Sequence, residues 1–222
     1  MSVFRIIIAA DLPSSENTNW RDKLIQKFLE GINSSGWEEI STLKTKEEII
    51  YFDDICDYMG ITCRDTEVTE VLFRDFIHGN FQIGYLPHSV EVVDISYSRQ
   101  TFQLETRAFP RQLRSIQLFI NLITGSIDLT NLPTNLEEAH FDGNQLTGPI
   151  SLTCLPRTLR ILHLGMNPIA QHTVLVGALP PHIETIALPT RNKRLGVGRV
   201  QCIHPNDLAT AKRVLKGIKV VG

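Results

Sequence analysis

Residues 132–156 read LPTNLEEAHFDGNQLTGPISLTCLP, a stretch that begins and ends on the same Leu-Pro pair. Outward from it the pair recurs as Leu86-Pro87, Phe109-Pro110, Leu132-Pro133, Leu155-Pro156 and Leu179-Pro180, at steps of 23, 23, 23 and 24 residues. Behind each proline the apolar residues keep one spacing: Val90, Val93, Ile95; Leu113, Ile116, Leu118; Leu136, Ala139, Phe141; Leu159, Leu162, Leu164; Ile183, Ile186, Leu188. A unit this short cannot bury an apolar face alone. Its copies must stack, each giving a short strand and a return path.

A fixed period between roughly 20 and 29 residues with this spacing is the signature of leucine-rich repeats. Upstream, residues 53–73 read DDICDYMGITCRDTEVTEVLF. An acidic residue, a cysteine, an aromatic, Gly-Ile-Thr-Cys and then Val-Thr-x-Val-x-Phe resemble the N-terminal cap of plant-type leucine-rich repeat proteins. Leucine-rich repeat proteins of kinetoplastid protists, which join such a cap to Leu-Pro-x-x-Leu repeats, are also similar. The resemblance implies a disulfide between Cys56 and Cys63, an aromatic (Tyr58, where the family usually has Trp) beneath the first strand, and a first strand at Val68, Val71 and Phe73. In an oxidising compartment the disulfide is favoured; in the cytosol both thiols stay free.

Before that cap motif, Asn19 to Gly31 reads as a helix with Trp20, Leu24, Ile25, Phe28 and Leu29 on one face, started by Asn17 or Thr18. SSGWEE reads as a loop, and a second helix is expected from Thr45, where Glu48 completes a capping box ahead of Ile49, Ile50 and Phe52. Asn121, Asn144 and Asn167 fall three residues after the last apolar position of their units, where each can bond the backbone of a tight corner; Ser98 and Arg191 break that column. The GSI at Gly125 and GPI at Gly148 mark a second corner. Val197, Val200 and Cys202 suggest one last strand, either continuing the parallel sheet or folding back as a hairpin. Asn206 then caps a helix to about Lys216, with Leu208, Ala211, Leu215 and Ile218 on one stripe. The expected fold is α/β: a right-handed leucine-rich repeat solenoid of short parallel strands, with irregular or 3₁₀ convex segments and a helical cap at each end. It forms a single domain over 1–222, with an N-terminal cap at 1–67, five to six repeats at 68–190 and a C-terminal cap at 191–222.

The composition is that of an ordinary globular protein, and the net charge of −2 hides an asymmetry. From Arg191 onward eight Lys or Arg face one acid, Asp207, for +7, so the first 190 residues carry −9. Lys193, Arg194, Arg199, Lys212, Lys216 and Lys219 form a basic set that would attract an RNA backbone or an anionic membrane, with Lys212, Lys216 and Lys219 expected on the outer face of the last helix. Solvated cap residues explain the same set. No apolar run is long enough to span a bilayer. Val3 to Ala10 is interrupted by Arg5, a poor secretory core that reads as a terminal strand or tail. The localisation is left open, although cysteines at these cap positions resemble those of secreted or surface members of the family.

Alternation along stacked strands sets the polar strand residues in columns on a concave face. The central column reads Leu72, Asp94, Gln117, His140, His163, Ala187; its flanks read Glu70, Val92, Ser115, Glu138, Ile161, Thr185 and Arg74, Ser96, Phe119, Asp142, Gly165, Pro189. Asp94, Ser96, Gln117, Phe119, Glu138, His140, Asp142 and His163 are the residues expected to meet a protein partner. His140 and His163 beside Glu138 and Asp142 are suitable zinc ligands in type. Neighbourhood alone is not a site, however, and a solvated polar stripe with no metal or cofactor is the expected reading. The sequence offers no nucleophile with a matched base, no phosphate loop and no dinucleotide fingerprint, so no enzyme and no small-molecule substrate are expected. Cys154 and Cys202 are expected to face the core.

Overall fold

The computed structural model describes residues 20–44, 49–190, 196–215 and 217–222. Three helices occur among them: α1 (Trp20–Phe28), α2 (Ser34–Ser41) and α3 (Leu208–Val214). The strands in chain order are β1 (Thr42–Lys44), β2 (Ile49–Tyr51), β3 (Ile61–Arg64), β4 (Glu67–Leu72), β5 (Val92–Asp94), β6 (Ser115–Gln117) and β7 (Thr124–Ser126). They are followed by β8 (Glu138–His140), β9 (Gln145–Thr147), β10 (Ile161–His163), β11 (Ala170–Val176), β12 (Thr185–Ala187), β13 (Gly196–Cys202) and β14 (Lys219–Val221).

Six strands at the spacing of the sequence period, with β3 from the preceding segment at the edge, form a single seven-stranded sheet of order β12-β10-β8-β6-β5-β4-β3. All neighbours pair in parallel except β3, which runs antiparallel to β4. The register follows the sequence period, with Val71, Val93, Ile116, Ala139, Leu162 and Ile186 side by side. These central residues and the apolar positions flanking them are all buried, none more than 5% exposed. Strands of only three residues make few ladder hydrogen bonds. Cohesion comes from stacked Leu, Ile and Val, each worth about 1.5–3 kcal/mol when fully buried.

The corner after each strand places buried backbone groups out of reach of the ladder, and the asparagine column supplies their partners. Asn144 donates to the carbonyls of Leu118 (2.8 Å), Phe141 (3.0 Å) and Asp142 (3.3 Å) and accepts from Ile123 N–H (3.1 Å). Asn121 donates to Ile95 O (2.7 Å) and Leu118 O (3.0 Å) and accepts from the N–H groups of Ser98 and Gln100, both at 3.0 Å. Asn167 repeats the scheme toward Phe141, Leu164 and Gly165 and accepts from Leu146 N–H. At the position where Ser98 departs from the pattern, its hydroxyl donates to Phe73 O and accepts from Phe76 N–H, so the column continues with a shorter side chain. Buried Gln100 bonds Gly79 O, Ser98 O and Phe81 N–H.

The return paths carry 3₁₀ turns at Ile83–Tyr85, Thr106–Ala108 and Leu129–Asn131. The second corner forms its own parallel pair, β7 with β9, around Gly125. There Gln171 does what asparagine does at the first corner, accepting from Ile150 N–H at 2.7 Å and donating to Ile150 O and Thr173 O.

The N-terminal segment differs from expectation in three places. Trp20, placed by periodicity on the apolar face of α1, is 75% exposed; the buried face is Arg21, Ile25 and Phe28. SSGWEE is helical: it belongs to α2, whose start is capped by Asn33 accepting from Gly36 N–H at 3.0 Å. The expected second helix is absent where it can be seen, because Ile49–Tyr51 pairs antiparallel with Thr42–Lys44; Thr45 and Glu48 of the expected capping box lie outside the described residues, as do Asn17 and Thr18 and the stretch Val3 to Ala10. Phe28, Phe73, Phe76 and Phe81 join α1 to the first repeat, with the Phe81 ring stacked on Phe28 at 4.9 Å and on Phe73 at 4.8 Å. Cys56 and Cys63 are joined in a disulfide. Buried Arg21 lies over it, 3.1 Å from Cys56 Sγ, and donates to Thr66 O at 2.6 Å and to Asp54 at 3.2 Å. Tyr58 packs edge-on to Trp37.

At the other end, β13 leaves the long sheet. It pairs in parallel with β11 and β14 in a separate three-stranded sheet. The strand at Val197 to Cys202 therefore neither continues the main sheet nor folds back as a hairpin, and it is followed by one more strand, β14. Asn206 lies in a 3₁₀ turn at Pro205–Asp207 and does not cap α3, and no side chain makes the cap bond. Lys219 sits on β14, not on the helix, and Cys154 is exposed while Cys202 is buried. Leu152 and Leu155 fill the core on either side of Cys154, leaving its thiol outside.

Candidate functional site

The ladder that buries Val71, Val93, Ile116, Ala139, Leu162 and Ile186 turns their strand neighbours to the opposite face. Leu72, Asp94, Gln117, His140, His163 and Ala187 are paired strand to strand in that order, as are Glu70, Val92, Ser115, Glu138, Ile161 and Thr185. From β5 to β12 these side chains are half-buried, packed side by side on a rigid sheet.

Two clusters organise this face. In the first, Arg74 reaches the Asp94 carboxylate at 3.4 Å and donates to Ser96 Oγ at 3.2 Å, and its guanidinium lies over the Phe119 ring at 5.7 Å. Ser96 is fully buried and bonded to Asp94, so it orients Asp94 and Arg74 and is not a contact residue. In the second cluster the His140 and His163 rings meet edge to face with centroids 4.8 Å apart. Asp142 lies 3.8 Å from His163 Nδ1, and Glu138 lies 4.0 Å from His140 Nε2 and 3.6 Å from Arg160. Phe119 joins the two clusters. It is edge-on to Tyr97 at 5.1 Å and to His140 at 6.5 Å, so Tyr97, Phe119, His140 and His163 form a continuous row of rings. Burial, with His163 beside it, holds His140 below the ordinary imidazole range, against the opposing pull of Asp142, Glu138 and Asp94.

Of the residues singled out from the sequence, Asp94, Gln117, Phe119, Glu138, His140, Asp142 and His163 come together on one half-buried face, and Ser96 lies beneath it. Arg74 and Tyr97 complete the clusters and had no place in that set: alternation put Arg74 in a flanking column, but its reach to Asp94 and over Phe119 is set by its rotamer, and Tyr97 lies in the corner beyond β5 at φ 58°, where alternation no longer assigns a face. Sequence spacing also missed a charge ladder along the sheet's entry edge. Arg64 pairs with Glu91 (3.0 Å), Arg114 with Glu137 (2.8 Å) and Arg160 with Glu184 (2.7 Å). The hydrogen bonds to Glu137 and Glu184 raise the Arg114 and Arg160 pKa values further.

In the basic C-terminal set, Arg199 and Lys219 are direct cross-strand partners on β13 and β14, both exposed, with exposed Lys212 on α3. Arg199 also donates to Thr173 Oγ1 at 3.0 Å. Arg191, Lys193, Arg194 and Lys216 lie outside the described residues. No helix among the described residues is long and apolar enough to cross a membrane.

No family model matches the chain, and no curated protein matches it in sequence. Solved structures do resemble it. The BIR2 ectodomain from Arabidopsis thaliana is 18% identical with a TM-score of 0.51, over 70% of this chain and 82% of that one. Pollen Receptor Kinase 3 is 18% identical with a TM-score of 0.53, over 90% and 95%. A plant ice-binding protein is 16% identical with a TM-score of 0.50, over 91% and 72%. At such identities the likeness is one of fold, and the fold is leucine-rich-repeat-like, a mixed α/β chain of short parallel strands with few helices.

Proposed function

We propose that the chain is a non-enzymatic recognition module, a right-handed solenoid forming one domain over 1–222 with caps at both ends, that binds a protein partner on the concave face of its long sheet. The observation that carries this reading is the row Tyr97, Phe119, His140 and His163 with Arg74 laid over Phe119. Aromatic rings and arginine dominate the energetic centres of protein interfaces. Here they are held by a ladder that costs little further ordering on binding, which is how a preformed surface gains affinity. Likeness to the BIR2 ectodomain and Pollen Receptor Kinase 3 supports the same reading at the level of fold, as does the Cys56–Cys63 disulfide, the pairing that the resemblance to plant-type and kinetoplastid leucine-rich repeat caps implies. Asp94→Arg and His140→Glu each place a wrong charge in the row. Both are expected to abolish binding of a partner that the wild-type chain captures, with circular dichroism unchanged; capture that survives both changes removes the reading.

A second reading is favoured by the pairing of Arg199 with Lys219 beside Lys212. In it the array is a structural subunit or surface spacer whose basic end docks to an anionic surface, nucleic acid or larger assembly. Charge reversal at Lys212 and Lys219 should then release the protein at moderate salt. Retention by the reversed variant at every salt concentration contradicts it.

A further inference from the structure

We infer that His140, His163 and Asp142 form a binding site for a divalent transition metal of the zinc class, with one coordination position left open on the face of the sheet. The expectation of no metal rested on side chains that merely neighbour one another. In the folded chain they converge: one ligand atom from each of the three lies within 4.8 Å of the other two. Ligands at about 2.0–2.2 Å from a tetrahedral zinc stand about 3.4 Å apart, so closing the site brings these atoms together by about 1.4 Å at most. The Asp142 carboxylate is already 3.8 Å from His163 Nδ1.

The scaffold fixes the three residues by construction. His140 and His163 are register partners on β8 and β10, which holds their backbones at the lateral spacing of a sheet. Asp142 lies two residues beyond His140 and returns to the same face. The next unit has Gly165 at the place equivalent to Asp142, and a Cβ there would stand 3.2 Å from Asp142 Oδ1. The missing side chain leaves the space through which Asp142 leans toward His163. Glu138 faces Arg160 at 3.6 Å, which occupies the other nearby carboxylate; among the described residues the ion-pair contact of Asp142 is with His163.

Ligand chemistry selects the metal. Two imidazoles and one carboxylate suit zinc, copper or nickel, whereas calcium and magnesium require shells built mainly of oxygen. Three protein ligands leave a fourth position for water or for a side chain of an incoming molecule, the arrangement of an open site and not of a closed structural one. Phe119 stands against His140 on the side away from His163, walling the site from the first cluster. The inference does not require the protein-binding reading, since it concerns the chain alone.

The test uses the purified full chain, stripped with chelator, titrated with Zn²⁺ by calorimetry and with Co²⁺ by visible absorption. One equivalent is expected, with the intense visible bands of four-coordinate cobalt displaced by zinc. Asp142→Asn, His163→Gln and Gly165→Val should each weaken uptake at least roughly tenfold, as perturbed metal shells do. His182→Gln, at an exposed imidazole away from the face, should leave it unchanged. Thermal melts of each stripped variant separate loss of ligand from loss of fold. The inference is overturned if no saturable one-to-one uptake is seen, or if uptake survives in a folded His140→Gln/His163→Gln double variant.

Discussion

Removing one rung of the asparagine column should cost an amount set by how many buried groups that rung alone serves. Asn121→Ala strands three: the N–H groups of Ser98 and Gln100 and the carbonyl of Ile95, while Leu118 O keeps its bond from Asn144. Asn144→Ala strands one, the N–H of Ile123. Its carbonyl partners are shared, since Leu118 O retains Asn121, Phe141 O retains Asn167 and Asp142 O retains Ile120 N–H. An orphaned buried polar group costs about 1–3 kcal/mol. At the lower figure the losses are about 3 kcal/mol for Asn121→Ala and about 1 kcal/mol for Asn144→Ala. For a chain of this length a gap of about 2 kcal/mol separates the melting temperatures by about 4–8 °C. Urea unfolding followed by circular dichroism, with equal m values required of both variants, measures the gap. Asn121→Asp keeps the acceptor and loses both donors, so it should remain destabilised despite matching asparagine in shape. Equal losses for the two alanine variants, or a larger loss at Asn144, would refute the assignment of these bonds.

Three further outcomes are expected. Opening the Cys56–Cys63 disulfide releases a loop with a sequence separation of 7, worth about 2–2.5 kcal/mol of chain entropy; reductant should lower the unfolding midpoint of the wild type and leave a Cys56→Ser/Cys63→Ser variant unmoved. Ile120 is β-branched and held at φ 54°, in the left-handed region that Gly143 occupies without penalty one unit later. Ile120→Asn should therefore raise stability by about 0.5–1 kcal/mol in the same urea assay, and a decrease would show that packing of the isoleucine outweighs its strain. Burial, reinforced by Asp22, Asp53 and Asp54, raises the Tyr58 phenol above its ordinary value of 10.0. A raised folded pKa gives stability that is present below about pH 10 and lost as pH climbs through the folded value. Tyr58→Phe should accordingly flatten the alkaline fall in stability, measured from midpoints across that range.

The repeat, its strand register and the composition of the exposed face could be read from the sequence because all three follow from one period. Stacking forces every apolar position and every corner asparagine into line, so Leu113 or Asn144 needs no context beyond its own spacing. Elements outside the period were less legible, for identifiable reasons. Gly36 reads as a loop residue, yet a Cβ there would stand 2.6 Å from His78 Cβ and 2.9 Å from the Phe76 ring, so the glycine serves close packing of α2 on the first repeat. A capping-box pattern starting at Thr45 predicts a helix, but pairing of Ile49–Tyr51 with Thr42–Lys44 overrides it. At the far end, Val197, Val200 and Cys202 keep the apolar spacing of a repeat while joining a different layer, because spacing records which residues are buried and not against what. On the face itself the column positions were readable. The reach of Arg74 over Phe119 and of Asp142 toward His163 depends on side-chain rotamers and on the space left by Gly165, which no periodicity encodes.

The central claim, that the face carrying Phe119 and His140 is where this protein meets its partner, is tested most directly by site-specific photo-crosslinking. A photoreactive phenylalanine analogue is placed either at Phe119, in the middle of the ring row, or at Arg107, exposed on the 3₁₀ return path. Each protein is irradiated in native lysate prepared without reductant, and adducts are identified by mass spectrometry. The account predicts a light-dependent adduct with one protein from position 119, suppressed by Asp94→Arg in the same chain, and none from position 107. The same adduct forming from position 107 and not from 119 would contradict it.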